Sequence, residues 1–321
     1  MARVTAGARL HFGFQNLSLA HQRLYGSLGV ALDSPRVVVT ADPAETVRCD
    51  HDAAREYARR AVELLDVPGV DVTVERTLPR HVGLGSGTQL ALTVLAAVAH
   101  AYDCERRVRE RAPKLGRGGR SGVGVATFET GGFVLDSGHP TERFTADRPP
   151  RGEWSVPAVA AHHEVPDEWR FVVALPDSEP GRSGNDEDAS MRSVVERADP
   201  DLADEIAAVV TRRVLPAVAV GDSEKFGAAV AEVGRLNGAW YADEQGGVYR
   251  PPVGEVVARL SESPAIAGAG QSSWGPAVYG VTTERRVGAA REAAYAALSV
   301  AGVGGEVLVA EPRNRGARIE G

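Results

Sequence analysis

A glycine-rich stretch spanning residues 79–89 has the composition of a site for a phosphate group. Three of its glycines alternate with other residues, and an apolar segment over 88–102, predicted to form a helix, follows at once. Glycines let a backbone curl around an anion, and a helix N-terminus adds unpaired N–H groups and the positive end of its dipole. The stretch therefore predicts an anion cradle, the alternative being a plain glycine turn with Thr88 as helix cap. The candidate residues are Gly83, Gly85, Ser86, Gly87, Thr88 and Gln89.

A second glycine-rich stretch covers residues 116–124 and carries Arg117, Arg120 and Ser121. An arginine guanidinium binds the oxygens of carboxylates and phosphates through two parallel hydrogen bonds. Two arginines on a glycine frame therefore predict a clamp for such groups. A solvated basic loop is the alternative interpretation.

A third motif, over 268–280, lies between two predicted strands. Its small residues would let a ligand or another backbone approach closely. A tight turn with a tryptophan anchored in the core would have the same composition. The candidate binding residues are Gln271, Ser272, Ser273 and Trp274.

A fourth motif begins at Arg9, with His11 two residues later on a predicted strand. Residues two apart on a strand share a face, so this pair could serve an anionic aromatic substrate. A lone histidine of this kind is more commonly a core residue.

The elements that must position these motifs predict an α+β protein of two lobes. Strands are predicted at 1–12, 27–40, 70–74, 133–135, 156–161, 171–175, 265–269, 277–281 and 306–309. Helices are predicted at 51–65, 88–102, 200–219, 222–241, 253–262 and 284–299, and a polar loop at 177–188. Pro149 and Pro150, with polar residues around them, predict an irregular segment near the middle of the chain. We divide the chain into lobes of residues 1–165 and 166–321.

Composition narrows the function classes. The chain has 321 residues and a net charge of −7, which disfavours broad nucleic-acid binding. No run of 18 apolar residues and no secretory leader is seen, and two cysteines are too few for a disulfide framework. These features predict a cytoplasmic protein whose partners are neither nucleic acid nor a membrane. Only two of the 36 basic residues, Lys114 and Lys225, are lysines, which is typical of a high-GC genome.

Together and in this order, the motifs resemble those of the GHMP kinase superfamily. Within it, the strings at 9–13, 81–89, 116–124, 131–134 and 270–276 are similar to those of the β-ribofuranosylaminobenzene 5′-phosphate synthase family. The resemblance runs from about residue 5 to about residue 310. It implies an N-terminal lobe like ribosomal protein S5 domain 2, a ferredoxin-like C-terminal lobe and a site between them.

One departure from the superfamily's kinases argues against phosphoryl transfer. Those kinases have Ser-Gly-x-Asp, where the aspartate activates the acceptor hydroxyl, whereas this chain has Gly124 at the last position. Loss of that carboxylate removes an acid–base contribution of about 10²–10⁴-fold.

The family resemblance implies a transferase that uses phosphoribosyl pyrophosphate (PRPP). Ribose C1 would lose pyrophosphate to an aromatic acid, whose ring carbon attacks and then releases CO₂. The resemblance implies that the residues at 83–89 hold pyrophosphate, with Gln89 reaching it or the ribose. Arg117, Arg120 and Ser121 would hold the 5′-phosphate or the acceptor, and the residues at 271–274 would line the far wall. Arg9, His11 and Arg120 are the expected catalytic residues, with His11 accepting a proton from the acceptor.

The resemblance further implies Mg²⁺ bound with the pyrophosphate, and a homodimer. Candidate metal ligands are Asp136 and Glu187, although the usual role of the acidic stretch around Glu187 is a solvated lid. Mg²⁺ could instead bind mainly through the substrate and water.

The sequence is compatible with two classes of acceptor acid. Because the genome is GC-rich, we favour a pyrazole dicarboxylic acid, as in C-nucleoside synthases of formycin and pyrazofurin biosynthesis. The alternative is 4-hydroxybenzoate or 4-aminobenzoate in methanopterin biosynthesis. Two further alternatives are an ATP-dependent small-molecule kinase and a non-catalytic sensor of PRPP or nucleotides.

Overall fold

The computed structural model describes residues 1–144, 149–178 and 185–321, and the side chains of 185–188 lie outside that description. Within these ranges, no helix combines the length and the apolar character needed to cross a bilayer. Two sheets organise the chain, as the predicted two-lobed α+β class requires.

The first sheet is built on two long antiparallel strands that pair from Ala2 with Ala41 to Asn16 with Tyr25. Its strands are β1 (Ala2–Asn16), β2 (Arg23–Pro43), β3 (Val47–Arg48), β4 (Val70–Arg76), β5 (Phe133–Asp136), β6 (His139–Pro140), β7 (Val159–His163) and β12 (Arg318–Glu320). Their order is β12-β1-β2-β4-β3, with β5 and β6 also paired to β2, and β7 paired to β5. The chain's last strand thus returns to the N-terminal sheet.

The strands of the second sheet are β8 (Trp169–Pro176), β9 (Gly268–Gln271), β10 (Val278–Thr283) and β11 (Gly305–Ala310). This sheet is antiparallel, in the order β11-β8-β10-β9. Side chains alternate across a strand, and β8 follows this rule. Phe171 and Val173 belong to the core shared with the first lobe, whereas Val172 and Ala174 face a second apolar cluster. One continuous core therefore joins the two lobes.

Helices cover both sheets. They are α1 (Asp52–Leu65), α2 (Ser86–Ala101), α3 (Val108–Arg111), α4 (Val123–Glu129), α5 (Asn185–Arg197), α6 (Pro200–Val209), α7 (Leu215–Val220), α8 (Ser223–Gln245), α9 (Val253–Ser261) and α10 (Val287–Val300). A π-helical turn over 210–214 joins α6 to α7. α2 is buried along almost its whole length, as its apolar sequence predicts.

Three helices, α3, α4 and α5, were not predicted from the sequence. The polar loop predicted over 177–188 ends early, since α5 begins at Asn185, and residues 179–184 lie outside the described part. α4 has only seven residues and follows a glycine-rich loop, so local periodicity was too short to indicate it. Contacts with α2 and the first sheet hold α4 in place.

Candidate active site

A cavity of about 1040 Å³ is lined by residues of both lobes. Its walls include the N-terminus of α2, the glycine-rich loop 116–121 and, from the second lobe, residues 273–275. Among the described residues, its lining contains two glutamates, Glu56 and Glu153, and a much larger set of arginines. These are Arg9, Arg60, Arg80, Arg117, Arg120, Arg143, Arg151 and Arg192.

The predicted anion cradle lies at the N-terminus of α2. Gly85 is the N-cap, in the left-handed conformation (φ 80°), and no side chain of the described residues caps the helix. The first-turn N–H groups of Ser86 and Gly87 are therefore available to an anion. Arg9 donates from Nη1 to the Gly83 carbonyl at 2.6 Å. The alternative of Thr88 as helix cap is wrong, and Thr88 lines the cavity instead.

Arg117 lies directly over this helix end. A Cβ built at Gly87 would be 3.0 Å from Arg117 Nη1, so glycine is what lets the guanidinium approach the first turn. The Tyr57 hydroxyl accepts a hydrogen bond from Arg117, whose guanidinium carbon is also 5.3 Å from the centre of the tyrosine ring. Trp154 Nε1 donates to the Arg117 carbonyl at 2.9 Å. These contacts hold a positive charge beside the helix dipole.

Asp136 holds the glycine-rich loop rather than a metal. Its carboxylate is fully buried and does not line the cavity. Oδ2 accepts hydrogen bonds from the Ser27 hydroxyl and from the Gly122 N–H (2.8 Å), and Oδ1 accepts from the Gly138 N–H (2.9 Å). Ser27 Oγ is also 2.6 Å from Ser121 Oγ. Because the carboxylate is buried outside the cavity and donors already contact both of its oxygens, the structure favours this structural role over the predicted metal ligation.

Three other predicted binding residues have side chains that hold the walls together and do not line the cavity. Gln89 is buried and donates from Nε2 to the Gly124 carbonyl at 2.9 Å. Gln271 Nε2 donates to the Ser273 carbonyl at 3.1 Å. The Ser272 hydroxyl donates to the Gly83 carbonyl at 2.8 Å and accepts from the His11 N–H at 3.1 Å. The other predicted contact residues, Ser273 and Trp274 included, do line the cavity.

The joint between the two lobes is a close contact between backbones. A Cβ at Gly275 would lie 2.0 Å from the Val82 carbonyl carbon, and one at Gly83, where φ is +98°, would lie 2.1 Å from the Ser272 carbonyl oxygen. Only glycine fits these two positions. The joint therefore sets where the second lobe meets the anion cradle.

Replacing Gly275 with alanine is expected to lower the free energy of unfolding by about 1–3 kcal/mol, the usual effect of overpacking. Urea unfolding measures it. Gly288→Ala is the matched control, because nothing lies within 4 Å of a Cβ there. Equal stability of Gly275→Ala and the control would mean that the joint is not rigid.

His11 reaches the cavity in a neutral form. It is only 4% exposed, and its ring meets Phe14 edge-on at 5.0 Å. Burial, with the nearby charge of Arg9, lowers the pKa of His11 to about 3. A ring with that pKa is a weak general base near neutral pH, so the structure favours a binding role over the predicted acceptance of a proton.

The low pKa of His11 predicts a loss of stability in mild acid. Below about pH 6.5 the unfolded chain protonates this histidine while the folded chain does not, so the free energy of unfolding falls as pH drops from about 6.5 towards 3. Urea unfolding from pH 7 to pH 4 should show a smaller loss in His11→Gln than in the unsubstituted chain. Equal pH dependence in the two proteins would contradict the assignment. His139, whose pKa burial also lowers, contributes in the same direction in both.

Several cavity residues were not predicted from the sequence. They are Tyr57, Arg60, Arg80, His139, Arg143, Arg151, Trp154 and Arg192. The chain has 34 arginines, and Arg60, Arg143, Arg151 and Arg192 lie outside the motifs, whereas Arg80 lies within the stretch 79–89 without being singled out there. Only folding brings them to one cavity, and no local signal distinguishes them.

The residues present do not fit a resident metal site. No group of three or more histidine, cysteine, aspartate or glutamate side chains is placed to hold a metal within the described ranges. Of the two glutamates in the lining, Glu56 already pairs with Arg60 Nε at 2.9 Å. The side chain of the second predicted ligand, Glu187, lies outside the described residues.

The chain is similar in sequence and fold to a broad class of known proteins. Residues 51–132 match the N-terminal domain model of GHMP kinases. The fold superposes on the crystal structure of mevalonate kinase from Methanococcus jannaschii with a TM-score of 0.68, covering 97% of this chain and 98% of that one at 12% identity. The architecture is therefore that of the GHMP kinases, as predicted.

Two curated relatives give the particular family. The chain is 32% identical to the β-ribofuranosylphenol 5′-phosphate synthase of Methanothermobacter thermautotrophicus over 98% of its own length and 97% of the relative's. It is 31% identical to the protein of that name from Archaeoglobus fulgidus over 100% of both chains. The chain belongs to the β-ribofuranosylphenol 5′-phosphate synthase family, a family of enzymes.

Proposed function

We propose that the protein joins C1 of a ribose 5-phosphate unit, donated by PRPP, to a ring carbon of an aromatic acid. The observation that carries this proposal is one cavity whose described lining holds eight arginines against two glutamates and includes a helix N-terminus. A phosphate, a pyrophosphate and a carboxylate are the three anions of such a reaction. A cavity this positive, in a chain of net charge −7, attracts and concentrates anionic substrates.

In the proposed reaction the ring carbon that bears the carboxylate attacks C1 of the ribose. The bond from C1 to the pyrophosphate oxygen breaks, and pyrophosphate leaves with that electron pair. The bond to the carboxylate then breaks, CO₂ departs, and its electrons restore the aromatic ring. No base is needed to remove a ring proton, so neutral His11 and the missing carboxylate at residue 124 are both compatible with the mechanism.

The protein's contribution would be to bind and orient the substrates and to stabilise the leaving group. The N–H groups of Ser86 and Gly87, with Arg9 and Arg117, would hold the pyrophosphate. Arg120 would bind the 5′-phosphate or the acceptor's carboxylate. Mg²⁺ would come with the pyrophosphate as part of the substrate, because the described cavity lining contains few carboxylates.

For the acceptor we place a phenolic or aminobenzoic acid first. The relatives' names contain a ribofuranosylphenol, which supports 4-hydroxybenzoate over the pyrazole dicarboxylic acid. The pyrazole interpretation rested on genome composition alone, and the comparisons do not support it. A homodimer also stays a prediction.

Incubation with PRPP, Mg²⁺ and a panel of 4-hydroxybenzoate, 4-aminobenzoate and a pyrazole dicarboxylic acid tests the proposal. Equal molar release of pyrophosphate and CO₂ with one acid is the expected result and identifies the acceptor. A parallel reaction with ATP and small alcohols tests the kinase alternative. ADP formation without pyrophosphate would overturn the proposal. Stabilisation by PRPP without product from any acid would favour the sensor.

A further inference from the structure

One side of the cavity carries four rings in succession, which we call the aromatic wall. It consists of His11, Phe14, Tyr25 and His139, and all four line the cavity. Neighbouring ring centres are 5.0 Å apart for His11 and Phe14, 5.6 Å for Phe14 and Tyr25, and 6.3 Å for Tyr25 and His139. The wall begins beside Arg9 at the anion cradle and ends at His139.

A bulge in β1 creates the wall. The register with β2 shifts between His11 and Gly13, so one extra residue is inserted. Residues three apart on a regular strand face opposite sides, and the bulge lets His11 and Phe14 face the same cavity. Asn237 of α8 holds the bulged strand, accepting from the Phe14 N–H at 2.7 Å and donating to the Phe14 carbonyl at 2.9 Å.

Each end of the wall has a buried ring nitrogen without a hydrogen-bond partner among the described residues, namely His11 Nδ1 and His139 Nε2. Burial lowers the pKa of His139 more than its contact with the Gly119 backbone raises it, so the ring is neutral. Because Nε2 has no partner, we infer that Nδ1–H faces Gly119 and that Nε2 keeps its lone pair. The far end of the wall therefore offers a hydrogen-bond acceptor.

Three other rings in the cavity lining are engaged elsewhere. Tyr57 and Trp154 brace Arg117, as described above, and Trp274 packs on Tyr241 of α8 with ring centres 4.4 Å apart. The aromatic wall, by contrast, is a continuous run of four rings along the cavity, which suits a flat ring.

We propose that the aromatic wall binds the acceptor's ring, with His139 Nε2 accepting a hydrogen bond from the hydroxyl or amine opposite the carboxylate. This inference rests on the proposed function. The orientation follows from chemistry, because the ring carbon that bears the carboxylate must lie near the leaving pyrophosphate. That end therefore points to Arg9 and His11, and the donor group points away from the cradle to His139.

His139→Asn tests the hydrogen bond. The asparagine amide can replace Nδ1–H towards Gly119 but has no atom at Nε2, whereas the longer amide of His139→Gln can place an oxygen there. In His139→Asn the KM for 4-hydroxybenzoate is expected to rise about tenfold, the effect of losing one hydrogen bond. The KM for PRPP should not change, and His139→Gln should restore part of the loss. With 4-methoxybenzoate, which has no donor, the unsubstituted chain and His139→Asn should behave alike.

His162→Asn is the matched control, since the His162 ring also contacts a glycine carbonyl (Nε2 to Gly131 O, 3.0 Å) but lies outside the cavity lining. Phe14→Leu is a second, independent variant that keeps apolar volume and removes one ring. It should raise the KM for the acceptor and leave the KM for PRPP unchanged.

Saturation-transfer NMR of 4-hydroxybenzoate, recorded with inorganic pyrophosphate present, measures acceptor binding without turnover. Weaker binding in His139→Asn and Phe14→Leu, but not in His162→Asn, supports the proposal. Unchanged acceptor KM and binding in both wall variants would overturn it and leave the proposed function intact. If the unsubstituted chain neither binds nor converts any of the benzoic acids, the proposed function fails, and this inference with it.

Discussion

Arg117→Ala is expected to lower kcat/KM for PRPP by about 30-fold to 4,000-fold. Removing one partner of a buried, hydrogen-bonded charge pair costs about 2–5 kcal/mol, and each 1.4 kcal/mol is about tenfold. Arg117 lies over the first turn of α2, where its charge and the helix N-terminus act on the same anion. Initial rates at varied PRPP, with the acid held at saturation, measure the effect.

Calorimetric titration with inorganic pyrophosphate gives a second readout that does not require turnover. The affinity of Arg117→Lys for pyrophosphate should lie between those of Arg117→Ala and the unsubstituted chain, because lysine keeps the positive charge but cannot form two parallel hydrogen bonds. Arg106→Ala removes an exposed arginine outside the cavity and serves as the control. Pyrophosphate affinity and kcat/KM equal to those of the control would exclude Arg117 from the cradle.

Asp136→Asn is expected to lower the free energy of unfolding by about 2–4 kcal/mol, with an accompanying loss of activity. Asparagine has the same shape, but both carboxylate oxygens of Asp136 accept backbone N–H groups, from Gly122 and Gly138. Whichever way the amide is turned, its NH₂ group meets one of these donors. A buried donor left unpaired costs about 1–3 kcal/mol, and more where a charged partner is removed.

Urea unfolding of Asp136→Asn measures the stability, and backbone amide exchange over 116–122 reports on the glycine-rich loop. Asp243→Asn is a control, since the Asp243 carboxylate is exposed and pairs with Arg197 outside the cavity lining. Because Asp136 does not line the cavity, added Mg²⁺ should not change the difference between Asp136→Asn and the unsubstituted chain. A magnesium-dependent difference would restore Asp136 as a metal ligand.

The glycine loop and the helix start that form the proposed anion cradle could be predicted because their signal is local. Alternating glycines and the helix that follows them lie close together in the chain. The predicted helix start at residue 88 differs from the observed start at Ser86 by two residues, the usual uncertainty of such boundaries. Motif order along the chain likewise indicated the two-lobed fold, which the comparisons confirm.

The roles of Ser272 and Asp136 could not be predicted in the same way. Both side chains act through partners far away in the sequence, Gly83 and His11 for Ser272 and Ser27 and Gly122 for Asp136. A serine in a glycine-rich motif and an aspartate after a strand have the same local appearance whether they bind a ligand or hold a wall. Only tertiary contacts distinguish the two cases.

By itself, the sequence determined the fold class, the family resemblance, the location of the glycine loop and helix start proposed as the anion cradle, and the absence of the kinase carboxylate at residue 124. These features depend on residues close together in the chain or on motif order. Tertiary structure alone decided that four arginines from outside the motifs share the cavity and that a bulge turns Phe14 towards it. It also decided that His11 is neutral. The physical reason is that convergence, bulge register and burial depend on long-range packing, which leaves no periodic signal in the sequence.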